Sequence, residues 1–139
     1  MEGKKEYLLV AGCRDFEDAT TFHRVMEANI SSMKDLVIIE GGAMGTDAMA
    51  KKFAQYYRAE IVEITADWEK YGRAAGPKRN DAMTKYTAEH GGRALFFWDG
   101  KSKGTANCIK IARKKGIPLR VWSIPEGRYM EEAEEGTEK

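Results

Sequence analysis

A chain of 139 residues is long enough for one domain with a real core and short for two. Charged residues make up 32% and hydrophobic residues 42%, and no apolar run nears the roughly 20 residues that span a bilayer; this argues against a membrane role and for a soluble, cytoplasmic protein. The net charge of +1 is uneven, because six glutamates over 126–139 face only Arg128 and Lys139, leaving −4 there and +5 elsewhere. Residues 1–125 are therefore read as one domain. Residues 126–139 are read as an acidic, flexible tail, with an inhibitory or partner-binding segment as the alternative. The opening MEGKKEYLLVAG has a basic start, but its apolar run is brief and CRDFED follows at once, unlike a secretory signal. Cys13, Cys108, His23 and His90 lie far apart in no metal-ligand spacing, so neither a metal, a disulfide framework nor a cofactor is indicated.

Short apolar runs bounded by Gly, Asp and Asn predict buried strands at Tyr7 to Ala11, Leu36 to Glu40, Glu60 to Ile64, Arg93 to Trp98 and Pro118 to Trp122. Helices are expected between them, over Ala19 to Ser31, Gly45 to Tyr57, Gly76 to Glu89 and Thr105 to Lys115, the last stopped by Gly116. Alternation of this kind means an α/β fold with a parallel sheet covered on both faces. Right-handed crossovers bring all strand C-termini to one edge, where ligands bind such folds. The segments following the first four strands, GCRDF, GGAMGTD, TADWEKYGRAAGPKRN and DGKSKGTAN, are the candidate site.

In GGAMGTD, Gly41 and Gly42 follow a strand and Gly45, Thr46 and Asp47 open a helix. Backbone N–H groups bare of side chains at a helix start attract anions, yet a tight structural turn has the same composition. The spacing matches neither GxGxxG nor GxxxxGKS. A second Gly-Thr pair, Gly104 and Thr105, opens another helix beside Lys101 and Lys103. In AAGPKRNDAM, Pro77 suits a first helical turn, while Lys78 and Arg79 oppose the helix dipole, a conflict that an anionic ligand resolves. Arg14 and Asp15 either hold a phosphate and a ribose hydroxyl or pair with each other. Trp68 and Tyr71 either stack on a base or pack in the core or at an interface. The cysteines read as buried hydrophobes and the histidines as surface residues.

Together VAGCRDF, EGGAMGTDAMAKKFA, ADWEKYGRAAGPKRNDAM and SKGTANCIKIARKKGIPLRVW resemble the YspA-like, YpsA-related branch of the SLOG superfamily, from Tyr7 to Trp122. The resemblance implies a Rossmann-like three-layer sandwich with a mainly parallel sheet of about five strands, and binding of nucleotides or nucleotide-derived ligands. Relatives include the LOG phosphoribohydrolases, the single-strand-binding DNA-processing protein DprA, and antiphage sensor domains that recognise ADP-ribose-like signals. The hydrolases carry PGGxGTxxE with a catalytic Glu, and an Arg from a neighbouring helix. Matching their Gly-Thr to Gly104 and Thr105 puts Cys108 at the Glu position, while Arg79 resembles the helix Arg.

The expected ligand contacts are Gly12, Arg14, Asp15, Gly41, Gly42, Ala43, Gly45, Thr46, Asp47, Trp68, Pro77, Arg79, Asn80, Lys103, Gly104 and Thr105. Arg79 and Asp47 are the candidates for catalysis. The first expectation is a sensor or sequestering protein for a nucleotide-derived small molecule, with a place in phage–host conflict. The alternatives are a nucleoside 5′-monophosphate phosphoribohydrolase and a single-strand nucleic-acid binder. The last is disfavoured by the lack of a dense basic stripe and by the acidic tail. A homo-oligomer is expected, with Trp68, Tyr71 and Trp122 as interface candidates.

Overall fold

Strand β1 (Glu6–Gly12) sends alternate side chains into two separate cores, as a fully covered strand must. Leu8 and Val10 join Leu36, Ile38, Leu95 and Phe97 beneath Phe22, Met26 and Phe53. Leu9 and Ala11 join Ile39, Phe96 and Val121 beneath Met83, Ile109 and Ala112. The computed structural model describes residues 4–131.

The other strands and α-helices are α1 (Ala19–Ala28), β2 (Leu36–Glu40), α2 (Thr46–Tyr57), β3 (Glu60–Glu63), α3 (Trp68–Tyr71), α4 (Ala75–Glu89), β4 (Arg93–Trp98), α5 (Lys103–Lys114), β5 (Leu119–Ser123) and β6 (Arg128–Tyr129), with short 3-10 turns at Met33–Asp35 and Gly72–Ala74. Helices α1 and α2 supply the first core, and α4 and α5 the second. The result is an α/β three-layer sandwich of the Rossmann-like kind.

The strand order is β3-β2-β1-β4-β5-β6. All neighbours pair in parallel except β5 and β6. The chain winds outward from β1 to β3, then returns to the other side of β1 as β4. That reversal leaves a crevice beyond the C-terminal ends of β1 and β4.

Three differences from the sequence expectation matter. The sheet has six strands, because Arg128 and Tyr129 fold back antiparallel on Trp122 and Ser123. The expected tail therefore begins with a sheet strand, and its part beyond residue 131 lies outside the described residues. Helix α5 starts at Lys103, so Gly104 and Thr105 occupy its first turn. Trp122 is 7% exposed and packs edge-on against Tyr129, which removes it as an interface candidate. No helix among the described residues is long and apolar enough to cross a membrane.

Candidate functional site

At the crevice lies an open cleft of about 740 Å³. It collects the ends of β1 and β2, the segment after β3, and the first turns of α4 and α5. Of the expected contacts, the structure brings together Gly12, Arg14, Gly41, Gly42, Ala43, Asp47, Trp68, Pro77, Arg79, Asn80, Lys103, Gly104 and Thr105. Asp15 is turned away, into a smaller depression with Phe16 and Asp18 on the α1 side. Gly45 and Thr46 do not line the cleft. They dock α2 onto the end of β1: Thr46 gives both its N–H and its hydroxyl to the Cys13 carbonyl, at 3.2 and 2.9 Å. Gly45 has φ +71, and a side chain there would reach to 2.3 Å from the Arg14 carbonyl oxygen.

The GGAMGTD segment differs in kind from its expectation. Its N–H groups are largely taken by the protein's own carboxylates. Asp47 Oδ2 accepts from Gly41 and Ala43, each at 3.2 Å, and Glu40 Oε1 accepts from Gly42 at 2.6 Å. Asp47 is buried at 4% exposure in the first turn of α2, a helix that has no side-chain cap of its own but carries this acidic residue. Burial raises the Asp47 carboxyl from its ordinary value, opposed by the N–H of Ala43, by Arg79 and by the N–H of Gly41. The N–H groups of Gly41, Gly42 and Ala43 are thus satisfied within the protein, and a carboxylate stands in the first turn of α2.

The second Gly-Thr start differs in carrying no carboxylate in its first turn. Asp99 Oδ1 accepts the N–H groups of Lys101 and Ser102, both at 2.8 Å, and so ends its reach one residue short of α5. Helix α5 begins with no side-chain cap and no acidic residue in its first turn. A Cβ built on Gly104 would meet nothing within 4 Å, so the backbone there is open to close approach. Such a terminus favours an anion. Lys103 stands beside it on the cleft wall.

Arg79 and Asn80 connect the two walls. Arg79 Nη1 donates to the Gly41 carbonyl at 3.0 Å, and its Nε to Asn80 Oδ1 at 3.3 Å. The buried Asn80 amide in turn donates to the Gly104 carbonyl at 3.3 Å and to Asn107 Oδ1 at 3.0 Å. Thus Asn80 positions α5 against α4 while Arg79 faces the cleft. The cleft's charged lining is Arg14, Arg79 and Lys103 against Asp47. Met44 at 63% exposure and Trp68 at 57% leave broad apolar surface on the rim. Tyr71 is not on the cleft; the ammonium groups of Lys70 and Lys78 lie over its ring.

Cys108 lies on the floor of the cleft at 1% exposure. Burial pushes its thiol up to about 12, against the pull of Arg79, so it is neither a carboxylate substitute nor a ready nucleophile. Cys13 is likewise buried, and burial raises its thiol. The sequence reading missed Met44, Ser102 and Asn107 on the lining, and Glu40 behind the turn. Glu40 had a legible signal, a glutamate closing a wholly apolar strand. No group of His, Cys, Asp and Glu among the described residues is arranged to hold a metal ion.

Comparison with known proteins bears on this arrangement. A model of the YspA, cpYpsA-related SLOG family matches residues 7–71. The Gene 61 protein of Mycobacterium phage D29 is 36% identical over 118 residues, covering 81% of this chain and 92% of the phage protein. In three dimensions the chain is similar to DNA processing protein A (DprA) from Streptococcus pneumoniae, with a TM-score of 0.65 and 17% identity. That likeness is one of fold. It covers 90% of this chain and 53% of the DprA chain, so the chain spans about half of that protein.

Proposed function

The chain belongs to the YspA, cpYpsA-related SLOG family, and from the chemistry of its cleft we propose that it binds a nucleotide or nucleotide-derived ligand carrying phosphate and ribose, as a sensor or sequestering protein. The observation that carries this reading is the uncapped start of α5 at Gly104, with Arg79, Arg14 and Lys103 on the same cleft. Three cations facing one buried carboxylate favour an anion, and the helix dipole adds to their field. The exposed faces of Trp68 and Met44 on the rim suit a base. An ADP-ribose-like molecule has both chemistries.

Binding is proposed in preference to N-glycosidic cleavage. Cleavage calls for a carboxylate near the ribose to stabilise developing positive charge. The position that matches the hydrolases' Glu is Cys108, and Asp47 already holds two backbone N–H groups. Nucleic acid remains a second reading, because the fold is shared with a DNA-processing protein and basic residues accompany Trp68 on the cleft. This likeness weighs against the expectation that nucleic acid is not a partner.

Calorimetry with AMP, ADP-ribose, NAD and cyclic dinucleotides tests the proposal, with an oligo-dT arm for the second reading. One clear small-molecule binder is expected, together with the same molecule in the mass spectrum of the purified protein's extract. A folded protein silent across the whole panel rejects the proposal; salt-sensitive binding of oligo-dT alone replaces it with the second reading.

A further inference from the structure

Behind the Gly41–Ala43 turn lies a pair of carboxyl groups for which the cleft reading has no use. Glu40, the last residue of β2, is wholly buried. Its sheet neighbour in register is Glu63, the last residue of β3. Glu40 Oε1 accepts the Gly42 N–H at 2.6 Å, but Oε2 is buried with no partner among the described residues. A carboxylate oxygen needs a donor, and an ionised Glu63 has none to give. One proton held between the two carboxyls supplies it.

We propose that Glu40 and Glu63 share a single proton, and that this proton latches the Gly41–Ala43 turn, so that its loss loosens one wall of the cleft. The proton sits on Glu40 Oε2 and is donated to the Glu63 carboxylate. Oε1 of Glu40 then accepts from Gly42 without placing a second bare charge in the sheet. When the proton leaves to water, two carboxylates face each other across neighbouring strands and Glu40 carries a buried charge.

The surroundings fit a neutral Glu40 beside an ionised Glu63. Lys51 of α2 pairs with Glu63 Oε2 at 3.4 Å, fixing the negative charge on that partner. Asp47, also of α2, adds negative field at Glu40, and Arg79 of α4 acts on Asp47. Burial first, then the facing Glu63 carboxyl, raise the Glu40 carboxyl to about 8. The facing Glu40 carboxyl first, and then Lys51, hold Glu63 below its ordinary value. Gly42 has φ +72, and a side chain there would come to 2.8 Å from Thr65 Cγ2, so the turn passes close to the segment after β3.

The experiment follows the Gly42 amide by 15N NMR from pH 5 to 9 in the wild-type protein, Glu40→Gln and Glu63→Gln. It needs no ligand, so it stands or falls separately from the reading of the cleft. Wild type should show one step near pH 8, with amide exchange at Gly42 and Ala43 rising at least tenfold relative to Glu40→Gln above it. Glu40→Gln keeps both an acceptor for Gly42 and a donor for Glu63, so it should fold and show no step. Glu63→Gln should move the step to lower pH. A wild-type step confined to the ordinary glutamate range, or one near pH 8 that survives in Glu40→Gln, overturns the proposal.

Discussion

Arg79 and Asp47 hold the same residue by its two polar groups: Arg79 Nη1 donates to the Gly41 carbonyl at 3.0 Å, and Asp47 Oδ2 accepts the Gly41 N–H at 3.2 Å. The turn between β2 and α2 is thereby tied to α4 and to its own helix. Replacing Arg79 with Ala removes a charged donor from both the turn and the cleft. The expected outcome is a loss of about 1 kcal/mol in urea unfolding and at least a tenfold drop in ADP-ribose affinity by calorimetry, equivalent to about 1.4 kcal/mol. Arg79→Lys should restore only part of either, since an ammonium lacks the planar fork.

Two glycines separate a binding role from a packing role. A Cβ on Gly104 meets open space, so Gly104→Val should leave the melting temperature within about 2 °C of wild type, a sub-kcal/mol change for a chain of this size. It should nevertheless weaken ADP-ribose tenfold or more by covering the start of α5. A Cβ on Gly12 would lie 2.4 Å from the Phe97 carbonyl oxygen and 2.7 Å from Thr46 Oγ1. Gly12→Ala should therefore cost about 1–3 kcal/mol of stability, read by thermal melts without any ligand. Equal binding by Gly104→Val and wild type would remove α5 from the site.

The pH dependence of stability follows from Glu40. Its folded carboxyl holds a proton up to about pH 8, whereas the unfolded chain releases it near 4.5. Between these values the folded state binds more protons than the unfolded state, so stability falls as pH rises, by at most about 1.4 kcal/mol per unit. Glu63 has the opposite sign: its depressed value contributes stability that is complete above 4.5 and lost as pH falls. Urea titrations at pH 5, 6.5 and 8 should show a decline that Glu40→Gln reduces, leaving the smaller decline that the raised Asp47 carboxyl contributes with the same sign.

The buried thiols should be inert in the folded protein. With Cys108 at about 12 and Cys13 also raised, iodoacetamide at pH 8 should label neither until urea unfolds the chain. Mass spectrometry of the native and denatured reactions checks this. Rapid labelling of Cys108 in the native state would mean that the cleft floor opens.

Much of this architecture is legible in the sequence, because strands covered on both faces are continuous apolar runs and their order with the helices forces a parallel sheet. β6 was not legible, since two residues, Arg128 and Tyr129, gain strand character only by pairing with Trp122 and Ser123. The placement of Asp15 was equally hidden: adjacent residues on the β1 turn face different sides of the sheet, Arg14 to the cleft and Asp15 to the α1 side.

The two Gly-Thr motifs show where local sequence stops. By itself the sequence determined that both open helices at one edge of a parallel sheet, because period, glycine placement and crossover handedness are local or topological facts. Only the tertiary structure decided what the N–H groups before each helix meet. Asp47, in the first turn of α2, folds back on Gly41 and Ala43, and Glu40 takes Gly42, while Asp99 stops at Ser102 and α5 has no carboxylate in its first turn. The physical reason is that a backbone N–H attracts an anion only if no side chain has already taken it, and its partner is fixed by packing in three dimensions.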